Sequence, residues 1–481
     1  MRARIAAHLF APENRKWWTL VSVSFGLFMI MLDNTVVNVA LPSIQRALGA
    51  GQSELEWVVV SYALTFATFM LTGGKLADYF GRRRLFVIGL AIFTLASLAC
   101  GLAPNAGFLI GARAVQGLGA AIMNPATLGI ITATFPPRQR GMAIGIWAGV
   151  SAMALAIGPL LGGLITDHID WSWIFFVNVP VGVLGIVVAR WAIDESRDTS
   201  HEQRLDLPGL ATSAVGLFAL TYALIEANSY GWTSARILAL FAVAAVALAA
   251  FVLLERHQRV PMLDLTLFRD STFTGANLTM LLVSLAMFGI FFFNSLFLQN
   301  ILGYSATETG AVFLPMTLLI ILIAPWAGRY SDKVGSRWLA GAGMTLVSLC
   351  LVLFAQLDAG STFWDIFPGL ITGGLGMALV MTPTTAAAMG AVDVDKAGVG
   401  SAVLNSSRQV GGSLGIAVMG ALVASQVDVT APLPLRADQF VEGYHLALYV
   451  AAAIALCGAA VAVLTVRKHE HHEQPLAEAA L

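Results

Sequence analysis

Two ionisable side chains lie where membrane segments ordinarily have none. Asp33 sits well inside the first long apolar run, which starts near Trp17, and Arg113 sits inside the fourth. A carboxylate at such depth costs at least about 2.5–3.5 kcal/mol to insert, so it is retained for a purpose. A guanidinium there keeps its charge and needs an acceptor. Arg113, Gln116 and Gly117 follow at i, i+3 and i+4 and share one helix face. Gly117 on that face lets a neighbouring helix, expected to be the first, come close. Hydrocarbon favours the neutral acid, whereas an arginine favours the carboxylate. An acid held between those two effects loads and releases a proton as its surroundings change. The structural alternatives are a carboxylate paired permanently and an arginine bound to backbone carbonyls. Asn34 points about 100° from Asp33, enough for the two to line one side of a cavity. Asn38 is a further polar residue of the same segment, on a different face from Asp33.

These residues need a frame of helices, and composition supplies it. The chain of 481 residues is 58% hydrophobic and 11% charged, which places it in the membrane class. A formal net charge of −1 with no basic face gives no sign of nucleic-acid binding. Cys100, Cys350 and Cys457 lie inside apolar segments without pairing or metal-ligand spacing, so neither a metal nor a cofactor is expected. The first apolar run is too long for a signal peptide and reads as a retained span. Windows of about twenty apolar residues give fourteen candidate spans. Apart from Arg46, Arg113, Arg236, Arg408 and Arg436, every Lys and Arg then falls on one side, which predicts that both termini are cytoplasmic.

An internal repeat divides the chain. Gly74, Asp78 and Gly81, with Arg82, Arg83 and Arg84 after them, follow the second span. Gly328, Asp332 and Gly335, with Arg337, follow the tenth at an offset of 254. That offset leaves room for two extra spans, 209–227 and 236–254. The expected organisation is a six-span bundle over 1–192, an inserted pair with its linkers over 193–273, a second six-span bundle over 274–466, and a cytoplasmic tail over 467–481. Asp78 is suited to cap a neighbouring helix or pair with an arginine when the cytoplasmic side is closed, and so to gate it. The alternative is plain anchoring of the loop.

In the fifth span, Gly145, Gly149, Gly158, Gly162 and Gly163 allow close packing, and Pro159 bends the helix. In the ninth, Asn294 and Phe291 are cavity candidates, because a loose apolar lining suits promiscuous binding. Arg408 in the thirteenth is either bound to carbonyls or placed to meet an anionic group. The tenth span has no interior carboxylate, while Glu226 and Asp365 fall at span ends. Histidines cluster in the tail at His469, His471 and His472, which reads as a solvated end rather than a metal site. No nucleophile–base–acid set shares a span, which argues against an enzyme. No Gly-x-x-x-x-Gly-Lys-Ser/Thr loop is present for an ATP-driven pump.

Jointly these motifs resemble the major facilitator superfamily, and within it the fourteen-span drug:proton antiporter branch (EmrB/QacA type). The resemblance rests on Leu32-Asp33 through Pro42, Gly74 through Arg84, Arg113 through Gly119 and Gly158 through Gly163. Trp171 through Pro180 and Asn405 through Gly412 match as well. It implies an all-α integral membrane protein with the major facilitator fold, two six-helix bundles and two inserted helices. It further implies proton-coupled export of hydrophobic or cationic drugs by alternating access, by a monomer in the plasma membrane. Asp33 and Arg113 would couple protons, and Asp78 with the arginines after it would latch the cytoplasmic side. Gly158, Pro159, Gly162 and Gly163, the antiporter motif, would form the seam between the halves. With Ser336 where the first repeat has Arg82, the second latch is expected to be weaker. Export of one specific metabolite, such as a self-made antibiotic, is the alternative, followed by uptake in symport.

Overall fold

The computed structural model describes residues 14–197, 206–258, 261–392, 397–428 and 432–467, and these are helical wherever they are regular. The N-terminal helices are α1 (Arg15–Leu48), α2 (Gln52–Phe80), α3 (Arg82–Gly101), α4 (Ala106–Thr134), α5 (Pro137–His168), the single turn α6 (Trp173–Phe176) and α7 (Asn178–Ala192). Two more, α8 (Leu207–Tyr230) and α9 (Ala235–His257), precede α10 (Ser271–Leu296), which runs on through a π-turn to Ile301. Then come α11 (Ala306–Val312), α12 (Leu314–Val334), α13 (Ser336–Phe354), α14 (Phe363–Gly390), α15 (Ala397–Ala424) and α16 (Leu433–Thr465).

Long apolar windows make these helices, and short polar residues start them. Asn105 accepts the Phe108 amide at 2.9 Å to begin α4. Ser305 and Glu308 form a capping box at α11, as do Thr362 and Asp365 at α14. Twelve helices of the described residues are long and apolar enough to cross a membrane, against the fourteen expected from sequence. The two long helices outside that count are α5, with 32 residues, and α15, with 28. In α15 the run Asn405-Ser406-Ser407-Arg408-Gln409 dilutes the apolar window. In α5 the stretch that qualifies is the short Met142–Ser151.

The helices sort by their packing. Helix α2 packs on α4, α3 on α4 and α7, and α1 on α5 and α7. Further along, α10 packs on α15 and α16, and α13 on α14 and α16. The pair α8–α9 packs on itself, and α8 alone reaches α2 and α15. Between the N-terminal and C-terminal groups the main contacts are α2 with α15 and α5 with α11.

Glycine sets the spacing at two kinds of place. Gly81, between α2 and α3, has φ 114° and ψ 131°. Gly335, between α12 and α13, has φ 93° and ψ 141°. Side chains rarely tolerate that conformation, so the repeated glycine read in the sequence is a repeated backbone turn. Elsewhere glycine lets helices touch: a Cβ on Gly119 would lie 2.6 Å from the Phe93 amide nitrogen on α3. Gly119→Leu is therefore expected to cost about 1–3 kcal/mol by overpacking, read as a lowered thermal unfolding midpoint in detergent. Gly111→Ala, where a Cβ meets nothing within 4 Å, should leave that midpoint unchanged or raise it.

Candidate functional site

Asp33 on α1 and Arg113 on α4 meet in the interior, with 0% and 1% of their surfaces exposed. Arg113 Nη1 is ion-paired with Asp33 Oδ2. Gln116, one turn along α4, donates from Nε2 to Asp33 Oδ1 at 2.9 Å. Its Oε1 accepts from Arg113 Nη1 at 2.8 Å. Arg113 Nε donates to the carbonyl of Val58 on α2 at 3.0 Å, and the guanidinium lies 4.3 Å from the centre of the Tyr62 ring. Both carboxylate oxygens thus have donors, and the arginine is answered by acid, amide, carbonyl and aromatic face together. Three helices converge on one buried charge pair. Such a pair is stable only while both members stay.

Gly117 does permit close approach, but of α2 rather than of α1. A Cβ on it would overlap Thr65 Oγ1 and the Tyr62 carbonyl, and Thr65 Oγ1 donates to the Ala114 carbonyl at 2.9 Å. Sequence spacing identified the face and misassigned the neighbour.

The other polar candidates divide. Asn34 and Asn38 are half-buried on α1, with amides donating to Ile30 O at 2.9 Å and Asn34 O at 3.1 Å. The Asn38 Oδ1 is buried without a partner. Asn294 is 3% exposed and accepts a hydrogen bond from Tyr444 Oη on α16, so it ties two helices and does not face an opening. Phe291 is half-buried, its ring 5.3 Å from that of Phe313. Glu226 accepts from Ser53 and from the Trp57 indole at 3.3 Å each, and Asp365 caps α14 from its exposed first turn.

The glycines of the fifth expected span do two jobs. Gly158 and Gly162 pack on α1 at Thr35 and Val36, within the N-terminal group. Gly163 faces the C-terminal group, where a Cβ would lie 2.7 Å from the Ala306 carbonyl carbon. Gly310 on α11 returns the contact, 2.7 Å from the Pro159 carbonyl carbon. Pro159 lies inside α5 at that crossing. Two neighbouring contacts escaped the sequence reading. Asp167 accepts the amides of Ala306 at 3.2 Å and Thr307 at 2.6 Å, at the N-terminus of α11. Gln299 donates to the Val39 carbonyl at 2.8 Å. The only sequence signal was an acid at the end of an apolar segment, which is indistinguishable from an interfacial one.

At the opposite ends of these helices, Asp78 binds Arg82 of its own motif at 2.8 Å. Arg82 also reaches the Gly129 carbonyl on α4 at 3.3 Å. The Arg83 amide donates to Glu195 Oε1 at 3.0 Å, and its guanidinium reaches Ile193 O at 3.3 Å. Gly74 lies against Pro125, a Cβ there falling 3.4 Å from its ring. The contacts of Gly74, Asp78 and Arg82 stay within the N-terminal helices, and Arg83 reaches the stretch that follows α7. Asp332 lies on α12 just before the Gly335 turn, and its side chain is outside the described residues, as are His469, His471 and His472. Among the described residues there is no group of His, Cys, Asp and Glu that could hold a metal.

The model of the Major Facilitator Superfamily matches residues 23–416 and, in a second match, 276–480. Multidrug resistance protein Stp of Mycobacterium tuberculosis is 38% identical over 463 residues, covering 95% of this chain and 86% of that protein. The tetracenomycin C resistance and export protein of Streptomyces glaucescens is 34% identical, with 96% and 94% covered. Puromycin resistance protein pur8 of Streptomyces alboniger is 37% identical, with 94% and 91% covered. In fold, the chain is similar to the crystal structure of a bacterial homologue of the human lysosomal transporter Spinster. That match has a TM-score of 0.67 at 18% identity and covers 95% of this chain and 98% of that one.

Removing one partner of the buried pair strands the other charge. Arg113→Ala is expected to lower unfolding stability by about 3–5 kcal/mol, seen as a large fall in the thermal midpoint. The double variant Asp33→Asn, Arg113→Gln should recover most of that loss. Purely additive losses would show that the two residues do not depend on each other.

Proposed function

The chain belongs to the Major Facilitator Superfamily, and on that premise we propose that it exports amphipathic or cationic small molecules in exchange for protons. Relatives named for multidrug and antibiotic resistance support an export role, and membership of a transporter family points away from an enzyme. The observation that carries the proton coupling is the fully buried Asp33, held by Arg113 and Gln116. A proton arriving on a carboxylate oxygen removes the charge that Arg113 answers. Gln116 Oε1 and Val58 O remain as acceptors for the guanidinium, so α4 and α2 stay joined while the hold on α1 drops from an ion pair to neutral hydrogen bonds. Loss of the proton restores the pair. Protonation thus changes how firmly α1, which also packs on α5, is held to its neighbours.

In this reading α5 and α15 also cross the bilayer, giving fourteen spans and the drug:proton antiporter branch. At 1.5 Å per residue either helix exceeds the roughly 30 Å of a hydrocarbon core. Residues 1–192 and 274–466 are the two rocking bundles, and 193–273 the insertion. The distribution of Lys and Arg orients both termini to the cytoplasm of a plasma membrane, with the protein acting as a monomer. Asp167, Gln299, Gly163 and Gly310 then join the bundles at the external side. Asp78 and its arginines, bonded to one another, to α4 and to the start of the linker after α7, stand ready at the cytoplasmic side. A second reading, export of one antibiotic only, is favoured by the relatives named for tetracenomycin C and puromycin.

Ethidium uptake into inverted membrane vesicles with an acid interior tests the proposal. Uptake should collapse with an uncoupler and in Asp33→Asn; wild-type uptake in that variant would make Asp33 structural. Failure of ethidium to move with folded protein would favour the single-antibiotic reading. Asp78→Ala should slow turnover more than it weakens substrate binding, and equal loss of both would remove the latch.

A further inference from the structure

Arg408 carries a guanidinium into the apolar interior with nothing to answer it. Among the described residues it forms no ion pair and donates no hydrogen bond, and its Nε is buried without a partner. Arg113, by contrast, has an acid, an amide and a carbonyl as acceptors. The sequence left open whether Arg408 binds carbonyls or meets an anion, and no carbonyl is bound.

The rotation of α15 is fixed on both sides of this residue. Ser406 Oγ donates to the Ala67 carbonyl of α2 at 3.4 Å, and Ser407 Oγ to Asn277 Oδ1 of α10 at 3.2 Å. Gly412 lies against the Phe288 ring, a Cβ there falling 2.9 Å from it. Ser401, Asn405 and Arg408, at i, i+4 and i+7, share the face between the Ser406 and Ser407 contacts, which Gly412 continues at i+11. All three are half-buried, whereas Ala402, Val403, Leu404 and Gln409 are buried. This is a polar, half-buried stripe in the middle of the helix.

Counter-charge is absent from the surroundings. Helices α15, α10 and α4 contain no acid, and the acids of α2, α8, α14 and α16 lie toward the helix ends. Of the buried acids, Asp33 is committed to Arg113, and Glu56 of α2 lies against Gly420, about three turns along α15 from Arg408. An uncompensated cation at such depth is costly, so a chain that keeps one has a use for it.

We propose that Arg408 is the attachment point for an anionic group of the exported molecule, a carboxylate, sulfonate or acidic phenol, with Asn405 and Ser401 aligned to hold adjacent polar atoms. The proposal rests on the export reading above and adds amphipathic acids and zwitterions to its substrate class. A guanidinium suits this role because its fork of N–H donors matches a planar anion.

The test uses the full chain in phosphatidylcholine nanodiscs and two probes with the same rings. These are 8-anilinonaphthalene-1-sulfonate and its uncharged counterpart N-phenyl-1-naphthylamine, with binding read by quenching of tryptophan fluorescence. Wild type should bind the sulfonate more tightly. Arg408→Gln should weaken the sulfonate at least about tenfold, or about 1.4 kcal/mol, while moving the neutral probe less than about twofold. Arg408→Lys should keep the preference for the anion. Retained binding of the neutral probe reports that each variant is folded. Equal binding of both probes by wild type, equal loss of both in Arg408→Gln, or binding of neither overturns the proposal. So does an anion preference that vanishes when phosphatidylglycerol replaces phosphatidylcholine, which would give the site to a lipid headgroup. No gradient is applied, so a failure of proton coupling in the vesicle assay leaves this result readable, and the reverse holds too.

Discussion

A charge inside a bilayer has to be answered by the protein itself, and the Asp33–Arg113 pair is where this chain meets that demand most fully. The arginine draws its acceptors from three helices: the Asp33 carboxylate of α1, the Val58 carbonyl of α2 and Gln116 of its own α4. Those helices must therefore keep a fixed register and rotation. The surrounding glycine contacts follow from it. Gly117 brings α4 against α2 at Tyr62 and Thr65, which carries the Val58 carbonyl into reach of Arg113. Gly158 and Gly162 then bring α5 against the turn of α1 that follows Asp33. The polar centre and the close-packed seams are one arrangement.

Much of this was legible in the sequence, and the divisions are physical. The approach of Arg113 to Asp33 was legible because a deep acid and a deep arginine in the same half of the chain each need a partner, with carbonyls the alternative for the arginine. The turn glycines Gly81 and Gly335 were legible because a backbone with positive φ admits few other residues. The neighbour of Gly117 was not, because periodicity gives the direction a face points and never what lies opposite. Asn294 read as a cavity residue because it stands among phenylalanines that suit a loose lining, whereas a buried amide needs a partner. That partner, Tyr444, is 150 residues away. Twelve helices qualify as spans against the fourteen expected, and for α15 the reason is polarity, since its middle turns are spent on serines, an asparagine and an arginine.

The two deep arginines show how similar sequence signals diverge. Both sit in apolar helices beside small residues, and both are followed by a glutamine: Gln116 three positions after Arg113, Gln409 directly after Arg408. Around Arg113 the spacing places that glutamine on the same face, where it bridges acid and base. Around Arg408 the glutamine is turned about 100° away, and its amide nitrogen is itself without a partner. One site is closed upon itself and the other is left open.

The seam between the N-terminal and C-terminal groups has a property that bears on its history. Asp167 holds main-chain amides of α11, Gln299 holds a main-chain carbonyl of α1, Gly163 rests on the Ala306 main chain and Gly310 on that of Pro159. Each contact is written in the side chain, or its absence, on one surface only. No substitution on the facing surface restores a contact once its residue is lost, since every amino acid but proline offers the same backbone groups. The two groups can thus diverge almost independently in descent, and each seam position answers to selection alone rather than in matched pairs.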